Sequence, residues 1–257
     1  MAISQLEPRS LDDEKLFLDR VYSTYTVDES SQTRVMRELV VRTFAPHIRG
    51  GVALELGCSD GYMTEMLASR VDHLDVVDGS RSFLAEAEKR GLPNVAYTYS
   101  LFEQFETSTK YDYVFASFIF EHVLDPQLVF AMIRRVLKPD GRLFLVVPNA
   151  RALSRQLALH MGLIEDLKAL TENDLVNGHR RVYDRVFLNR EIRTAGFEPI
   201  VEGGLMLKIL ADFQLDRLID DEFLQQPQID GLYKLGFEYP DLCGALFSIC
   251  ALKDAAR

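Results

Sequence analysis

The stretch Leu54-Glu55-Leu56-Gly57-Cys58-Ser59-Asp60-Gly61 decides how this chain folds. The apolar residues Val52, Ala53 and Leu54 lead into an acid and then into a turn bracketed by glycines. Met63, Met66, Leu67 and Val71 follow at helical spacing. The pattern reads as strand, tight turn, helix. Glycine lets backbone approach a ligand where a side chain would collide. The first turn of a helix offers N–H groups without partners, and Glu55 accepts hydrogen bonds. The segment therefore reads as a loop for a nucleotide-type cofactor.

The spacing narrows the ligand. A dinucleotide fingerprint needs G-x-G-x-x-G, but Gly57 and Gly61 stand four apart with Ser59 between them. No Lys-Ser/Thr pair follows Gly61, which excludes a phosphate-cradling P-loop. Next, His73-Leu74-Asp75-Val76-Val77-Asp78-Gly79-Ser80 reads as a second strand ending in an acid. Nucleotide-binding α/β folds place a ribose-binding carboxylate there, about 20 residues beyond the first turn. Tyr111-Asp112-Tyr113-Val114-Phe115-Ala116-Ser117 and Gly141-Arg142-Leu143-Phe144-Leu145-Val146-Val147-Pro148-Asn149 read as further buried strands.

Together these segments resemble the class I S-adenosylmethionine (SAM)-dependent methyltransferases, at four ordered places. Glu55-Leu56-Gly57-Cys58-Ser59-Asp60-Gly61 is similar to their E/D-x-G-x-G-x-G loop, with Ser59 in place of the second glycine. Val77-Asp78-Gly79-Ser80 is similar to the second-strand acid. Tyr111-Asp112 through Glu121-His122-Val123-Leu124-Asp125-Pro126 is similar to the fourth strand and the turn after it. Leu137-Lys138-Pro139-Asp140-Gly141-Arg142 is similar to the turn into the fifth strand. The likeness is clear over residues 50–150 and weaker over 178–205.

The resemblance implies SAM as cofactor and S-adenosyl-L-homocysteine as product. It implies close backbone approach to the methionine part at Gly57, Cys58 and Gly61, with Glu55 on the ammonium side. It gives Asp78 the ribose hydroxyls, with Gly79 and Ser80 beside it. Leu101 and Phe102, in Ser100-Leu101-Phe102-Glu103, would border adenine. Ser117 and Phe118 would end the fourth strand beside the sulfonium. Tyr22 and Tyr25 would fold over the cofactor. Because an unpaired buried carboxylate is costly, Glu55 and Asp78 are both expected to need a partner such as the ligand.

Bulk properties set bounds. The chain has 257 residues, 47% of them hydrophobic, which suits one domain with insertions. Its net charge of −10 disfavours duplex DNA or long RNA, whose phosphates need clustered Lys and Arg. The best basic cluster, Arg180, Arg181 and Arg185, reads as a solvated helix start. Three cysteines, Cys58, Cys243 and Cys250, show no metal-ligand spacing. An odd count without a disulfide framework points to a reducing cytoplasm. Residues 1–20 are too polar for a signal peptide. No apolar run reaches the roughly 18 residues of a membrane span.

The expected fold is α/β: a Rossmann-like, seven-stranded, mostly parallel sheet with helices on both faces. Residues 1–10 read as a tail, and 11–25 and 32–46 as N-terminal helices. A helix at 126–137 carries Asp125 as N-cap and Pro126 at its first position. Residues 150–177 break the βαβ rhythm and read as a helical lid. Ligands bind at the carboxyl ends of the strands, and an insertion leaving the fifth strand there covers the site. A helix at 186–195 ends at Gly196, and a sixth strand begins at Phe197. Residues 208–237 read as a helical insertion. Cys243 to Leu252 reads as a last strand, which the resemblance slots antiparallel beside the fifth.

Two histidines are candidates for acid–base work. His122 follows the fourth strand, where the transferred methyl should point. His179 lies in Gly178-His179-Arg180-Arg181-Val182-Tyr183, after the lid. The inferred reaction is in-line methyl transfer to a hydroxyl or amine of a small molecule, a sugar or natural-product intermediate. No Asp/Asn-Pro-Pro-Tyr/Phe motif follows the fourth strand, which argues against exocyclic base amines and glutamine amides. No acidic cluster demands a metal. A protein or peptide methyltransferase, a non-catalytic partner subunit of the same fold and an NAD-dependent oxidoreductase remain as alternatives, and homo-oligomerisation is open.

Overall fold

The computed structural model describes residues 11–24 and 30–253. The expected tail at 1–10, and Tyr25, lie outside the described residues. Two helices, α1 (Leu11–Thr24) and α2 (Ser31–Phe44), precede the sheet. Ser30 caps α2, its hydroxyl accepting the Thr33 N–H at 3.2 Å.

The strands and helices then alternate: β1 (Val52–Leu56), α3 (Tyr62–Ala68), β2 (His73–Asp78), α4 (Arg81–Glu88), β3 (Val95–Tyr99), β4 (Tyr111–Ser117), α5 (Pro126–Val136) and β5 (Leu137–Pro148). Two short helices, α6 (Leu153–His160) and α7 (Glu172–Val176), fill the break in rhythm. Then come α8 (Arg185–Thr194), β6 (Phe197–Leu207), α9 (Asp212–Asp220), α10 (Gln226–Glu238) and β7 (Cys243–Leu252).

The strands form one sheet in the order β3-β2-β1-β4-β5-β7-β6. The first five pair in parallel, and β7 runs antiparallel between β5 and β6. The expected seven-stranded architecture is thus present, with the last strand beside the fifth. The chain winds outward from β1 to β3 and then crosses back to β4. The crevice between the carboxyl ends of β1 and β4 is the switch point at which such sheets bind ligands.

Alternation along the strands builds two cores. Phe115 and Phe144 face Phe44 of α2 on one side, with ring centroids 6.3 and 4.9 Å from it. Val114, Leu143 and Leu145 face α5 and α8 on the other. Asp125 caps α5 as expected, accepting the Gln127 N–H at 2.8 Å. Gly196 follows α8 with φ +79°, a conformation glycine adopts freely. β6 runs through Leu207, with Leu205 and Leu207 paired to β7, and the first helix of the segment read from 208 starts at Asp212. Among the described residues no helix is long and apolar enough to cross a membrane.

Buried Asn149 ties the end of β5 to the start of β7. Its Nδ2 donates to the carbonyls of Asp241 (3.0 Å) and Cys243 (2.8 Å), and its Oδ1 accepts the Arg151 N–H at 2.9 Å. Asn149→Ala leaves these buried groups unpartnered, at about 1–3 kcal/mol. The melting temperature should fall by roughly 2–12 °C, on a scale of about 2–4 °C per kcal/mol for a domain of this size; an unchanged melting temperature would show that water replaces the amide without cost.

Candidate active site

The glycine loop is held mainly from the protein side. Gly57 N–H donates to Val77 O at 2.8 Å, continuing the β1–β2 ladder into the loop. Asp78 then clamps both strand ends: its Oδ2 accepts the Cys58 N–H at 3.0 Å and its Oδ1 the Ser80 N–H at 2.8 Å. Ser59, at the position of the missing glycine, takes a left-handed φ of +48°, and its hydroxyl accepts from Arg37 at 3.1 Å. Arg37 also pairs with Asp60 at 2.8 Å, and Arg90 Nε donates to Asp60 O at 2.8 Å.

The two loop glycines answer to different neighbours. A Cβ on Gly61 would sit 2.9 Å from both Ala87 Cα and Arg90 Cδ, so close packing against α4 excludes it. A Cβ on Gly57 would meet the far end of Ile119 at 2.3 Å, and one on Gly79 would meet the tips of Leu18 and Leu101 at 2.5 and 2.9 Å. These neighbours are flexible side-chain ends.

Glu55 and Asp78, expected to behave alike, do not. Asp78 is buried but satisfied by two backbone N–H groups, so its burial requires no ligand. Burial still pushes its carboxyl up to about 6, against those hydrogen bonds. Glu55 is buried with neither oxygen hydrogen-bonded, and burial pushes it up to about 8. The hydroxyls of Thr64 and Ser117 are likewise buried without partners.

Leu101 is buried, and Phe102 opens a single 3₁₀ turn through Gln104, its ring end 3.8 Å from the space a Gly57 Cβ would take. With Leu18, Gly79 and His122 they line a small cavity of about 30 Å³. The α1 residue at Gly79 is therefore Leu18. Tyr22, one helical turn further on, packs edge-on against Phe83 of α4 with centroids 5.1 Å apart.

Phe118 leaves β4 at φ +58° while its N–H donates to Val146 O at 2.8 Å. Bulky residues hold such a backbone only when the surroundings impose it, commonly at functional sites. In the turn that follows, His122 and His179 meet although 57 positions apart in sequence, ring centroids 4.7 Å apart. The segment after α7 is laced onto this turn: Arg180 N–H donates to Glu121 O at 2.8 Å, and the Arg180 side chain donates to the His122 carbonyl. Arg181 donates to the carbonyls of Phe120 (2.8 Å), Val123 (2.5 Å) and Leu124 (3.0 Å). The basic cluster expected to be a solvated helix start is, at these two positions, an internal clamp. Arg185 alone begins a helix, paired with Asp241 at 2.9 Å.

Glu121 is 1% exposed and neither of its oxygens is hydrogen-bonded; burial pushes it up to about 7, against the opposing pull of His179. His122 is held down to about 3 by burial and by its basic neighbours, beginning with His179. Its 4.0 Å approach to Glu121 is consequently not an ion pair at neutral pH. His179 Nδ1 hydrogen-bonds Asp174 Oδ1 at 3.0 Å. The other Asp174 oxygen accepts the Thr171 N–H (2.8 Å) and hydroxyl (2.7 Å) in a capping box, and Arg155 at 3.1 Å. Burial opposes ionisation of Asp174, but His179 and Thr171 hold it well below the usual carboxylate range.

The 150–177 segment also roofs a separate cavity of about 300 Å³ beside Ala150, Leu159, Leu167 and Asp184, which none of the sequence-predicted site residues lines. Leu18, Ile119, Glu121 and Asp174 enter the site without having been singled out. Only Glu121, an acid in an otherwise apolar approach to the turn, carried a signal of its own.

The profile of a family described as a methyltransferase domain matches residues 29–202. The chain belongs to the class I SAM-dependent methyltransferases. It is 31% identical over 137 residues to a trans-aconitate 2-methyltransferase of Acidovorax ebreus, covering 51% of this chain and 52% of that protein. It is 31% identical over 141 residues to the mitochondrial ubiquinone biosynthesis O-methyltransferase of Bos taurus, covering 48% and 37%. The chain thus spans about half the length, or less, of these curated relatives. Its fold matches the Burkholderia thailandensis 1,6-didemethyltoxoflavin-N1-methyltransferase with a TM-score of 0.61 at 15% identity, over 94% of this chain and 87% of that one. It also matches the N-methyltransferase NodS of Bradyrhizobium japonicum with a TM-score of 0.58 at 14% identity, over 95% and 97%.

The orphaned Glu55 sets a pH dependence for this methyltransferase. Burial pushes its folded carboxyl up to about 8 from an ordinary 4.5. Between those values the native state holds a proton that the unfolded chain has lost, so stability falls as pH rises. The slope reaches at most about 1.4 kcal/mol per pH unit for one group, and Glu121 adds to it in the same direction. Urea unfolding of the ligand-free protein at pH 5 and pH 8 should show wild type losing more stability than Glu55→Gln. Equal losses would mean that Glu55 is hydrated or paired in solution.

Proposed function

We propose that this methyltransferase binds SAM at the β1–β4 crevice and methylates a hydroxyl or amine of a small molecule, a sugar or natural-product intermediate. The observation that carries the reading is Glu55: a buried acid with neither oxygen hydrogen-bonded, beside the glycine loop at the switch point, calls for a ligand cation. The site suits the cofactor in other respects. Asp78 keeps unused lone pairs beyond its two N–H contacts, and only flexible side-chain tips lie above Gly57 and Gly79.

In this reading Glu55 takes the ammonium group and Asp78 the ribose hydroxyls. Cys58 and Ser80 present the backbone that orients Asp78, and Leu101 and Phe102 exclude water at the adenine side. Ser117 offers an unpaired hydroxyl near the reacting centre, beside Phe118. When bound, SAM supplies an electrophilic methyl on a sulfonium. The remaining work is alignment, worth up to roughly 7–11 kcal/mol for well-oriented partners, and acceptance of the acceptor's proton. His122 of the Glu121–His122–His179 cluster lines the cavity beside Gly79, and the cluster does the latter. The 150–177 segment acts as a lid, because Asp174 reaches His179 from it; a wall there favours a small acceptor over a polypeptide.

Arg180 and Arg181 are consumed by internal carbonyls, and the net charge is −10, so nucleic acid is not a proposed partner. Three free, buried cysteines accord with a reducing cytoplasm.

Calorimetric titration of S-adenosyl-L-homocysteine, with NADH as control, should give one-to-one binding of the former alone. Asp78→Ala should weaken that affinity at least tenfold, on the order of one lost charged hydrogen-bond pair, while circular dichroism stays native. Affinity within threefold of wild type would remove Asp78 from the ribose site. On the first hydroxyl acceptor that turns over, His122→Ala should lower kcat by roughly 10²–10⁴ with cofactor affinity unchanged. An unaffected rate would point to an amine acceptor that needs no proton acceptor.

A further inference from the structure

Glu121, His122 and His179 each bring one donor atom to within 4.8 Å of the other two. Two independent features distinguish this cluster from a chance meeting of polar groups. Glu121 is 1% exposed with no hydrogen bond to either oxygen, so a charged carboxylate there lacks compensation. His179 donates or accepts through Nδ1 to Asp174 at 3.0 Å, which fixes the ring and leaves Nε2 for another partner. A carboxylate on the far nitrogen is the arrangement that orients metal-bound imidazoles. The neighbouring guanidiniums do not fill the gap. Arg180 is committed to Glu14 (2.8 Å) and the His122 carbonyl, and Arg181 to three carbonyls of the same turn.

We propose that Glu121, His122 and the Nε2 of His179 hold one divalent cation of the zinc type, with Asp174 as the positioning residue and one coordination position open toward the cavity beside Gly79. Two imidazoles and a carboxylate suit a borderline ion better than magnesium or calcium, which favour oxygen. Donors about 2.0–2.2 Å from a tetrahedral ion lie roughly 3.3–3.6 Å apart. The 4.0 Å between His122 Nε2 and Glu121 Oε1 then closes by about half an ångström, and the widest separation in the cluster, up to 4.8 Å, by up to about 1.5 Å, within reach of rotamer adjustment.

The ion's role rests on the methyltransferase reading. A hydroxyl of the acceptor takes the open position, and the ion lowers its pKa. The O–H proton passes to solvent, the new oxygen–carbon bond forms, the carbon–sulfur bond of the sulfonium breaks, and its electron pair stays on sulfur. The proton-accepting duty of the cluster is thus discharged through the cation rather than by an imidazole lone pair.

The test uses the full chain stripped with EDTA and dialysed. Zinc is titrated by calorimetry and cobalt(II) by its visible d–d absorption, with S-adenosyl-L-homocysteine titrated into the same samples. The expected result is one ion per chain and cobalt bands of a low-symmetry site. Asp174→Asn should weaken zinc roughly 10–100-fold, and His179→Gln by more than that. Glu121→Gln should do the same, and the more exposed His179→Gln keeps the test valid should the buried substitution fail to fold. Absence of one-to-one zinc binding in a sample that binds S-adenosyl-L-homocysteine overturns the ion site and leaves the methyltransferase reading standing. So does zinc affinity indifferent to His179→Gln. Zinc binding without S-adenosyl-L-homocysteine binding upholds the ion site and overturns its role in methyl transfer.

Discussion

The carboxylate of Asp78 joins the carboxyl ends of β1 and β2, and the geometry of the site depends on that junction. By accepting N–H groups from Cys58 on one side and Ser80 on the other, it fixes where the first strand stops being a strand. The glycine loop begins at a set height above the sheet, α3 starts in register, and Ser80 is free to cap α4 through its hydroxyl at 3.3 Å from the Phe83 N–H. A single buried acid therefore organises the backbone that a ligand would meet. Its neighbour Glu55, one strand residue below the loop, is left without a hydrogen bond to either oxygen. The contrast between the satisfied acid and the orphaned one gives the crevice its polarity.

A second junction works at longer range. Arg180 and Arg181 donate to carbonyls on both sides of the turn after β4, converting an irregular loop into a fixed platform. Through it the segment behind α7 brings His179 and, by way of Asp174, the capping box of α7 to the end of β4. Asp174 serves three masters at once: its own helix start, Arg155 of α6 and His179. The α6–α7 segment and the histidine pair are therefore one hydrogen-bonded unit.

Much of this was legible in the residues. The loop at 54–61, the acid at the end of β2 and the Asp125-Pro126 helix start are local patterns, in which neighbours in sequence are neighbours in space. The sheet order follows from the βαβ rhythm and the resemblance. What the sequence could not convey is pairing across distance. Nothing local to Arg180 and Arg181 distinguishes an internal clamp from a solvated pair, because the carbonyls they meet belong to residues nearly sixty positions earlier. The same holds for Leu18, which reaches Gly79 because α1 lies against α4, and for Tyr22, whose ring meets Phe83 of α4. Asp78 and Glu55 look equivalent as buried acids; only the backbone N–H groups around each separate them.

The two glycines of the loop carry a consequence for how related chains vary. At Gly61 the missing side chain makes room for α4, so the constraint lies wholly inside the protein and couples position 61 to positions 87 and 90. At Gly57 the neighbours are movable tips, but its backbone is left-handed, φ +74°, as is that of Gly61 at +77°, a conformation glycine adopts at no steric cost. A relative with a remodelled α4 would relieve the crowding at position 61 and still favour glycine there. The familiar glycine signature is therefore two constraints overlaid, a backbone turn that both positions share and a helix contact that only position 61 records.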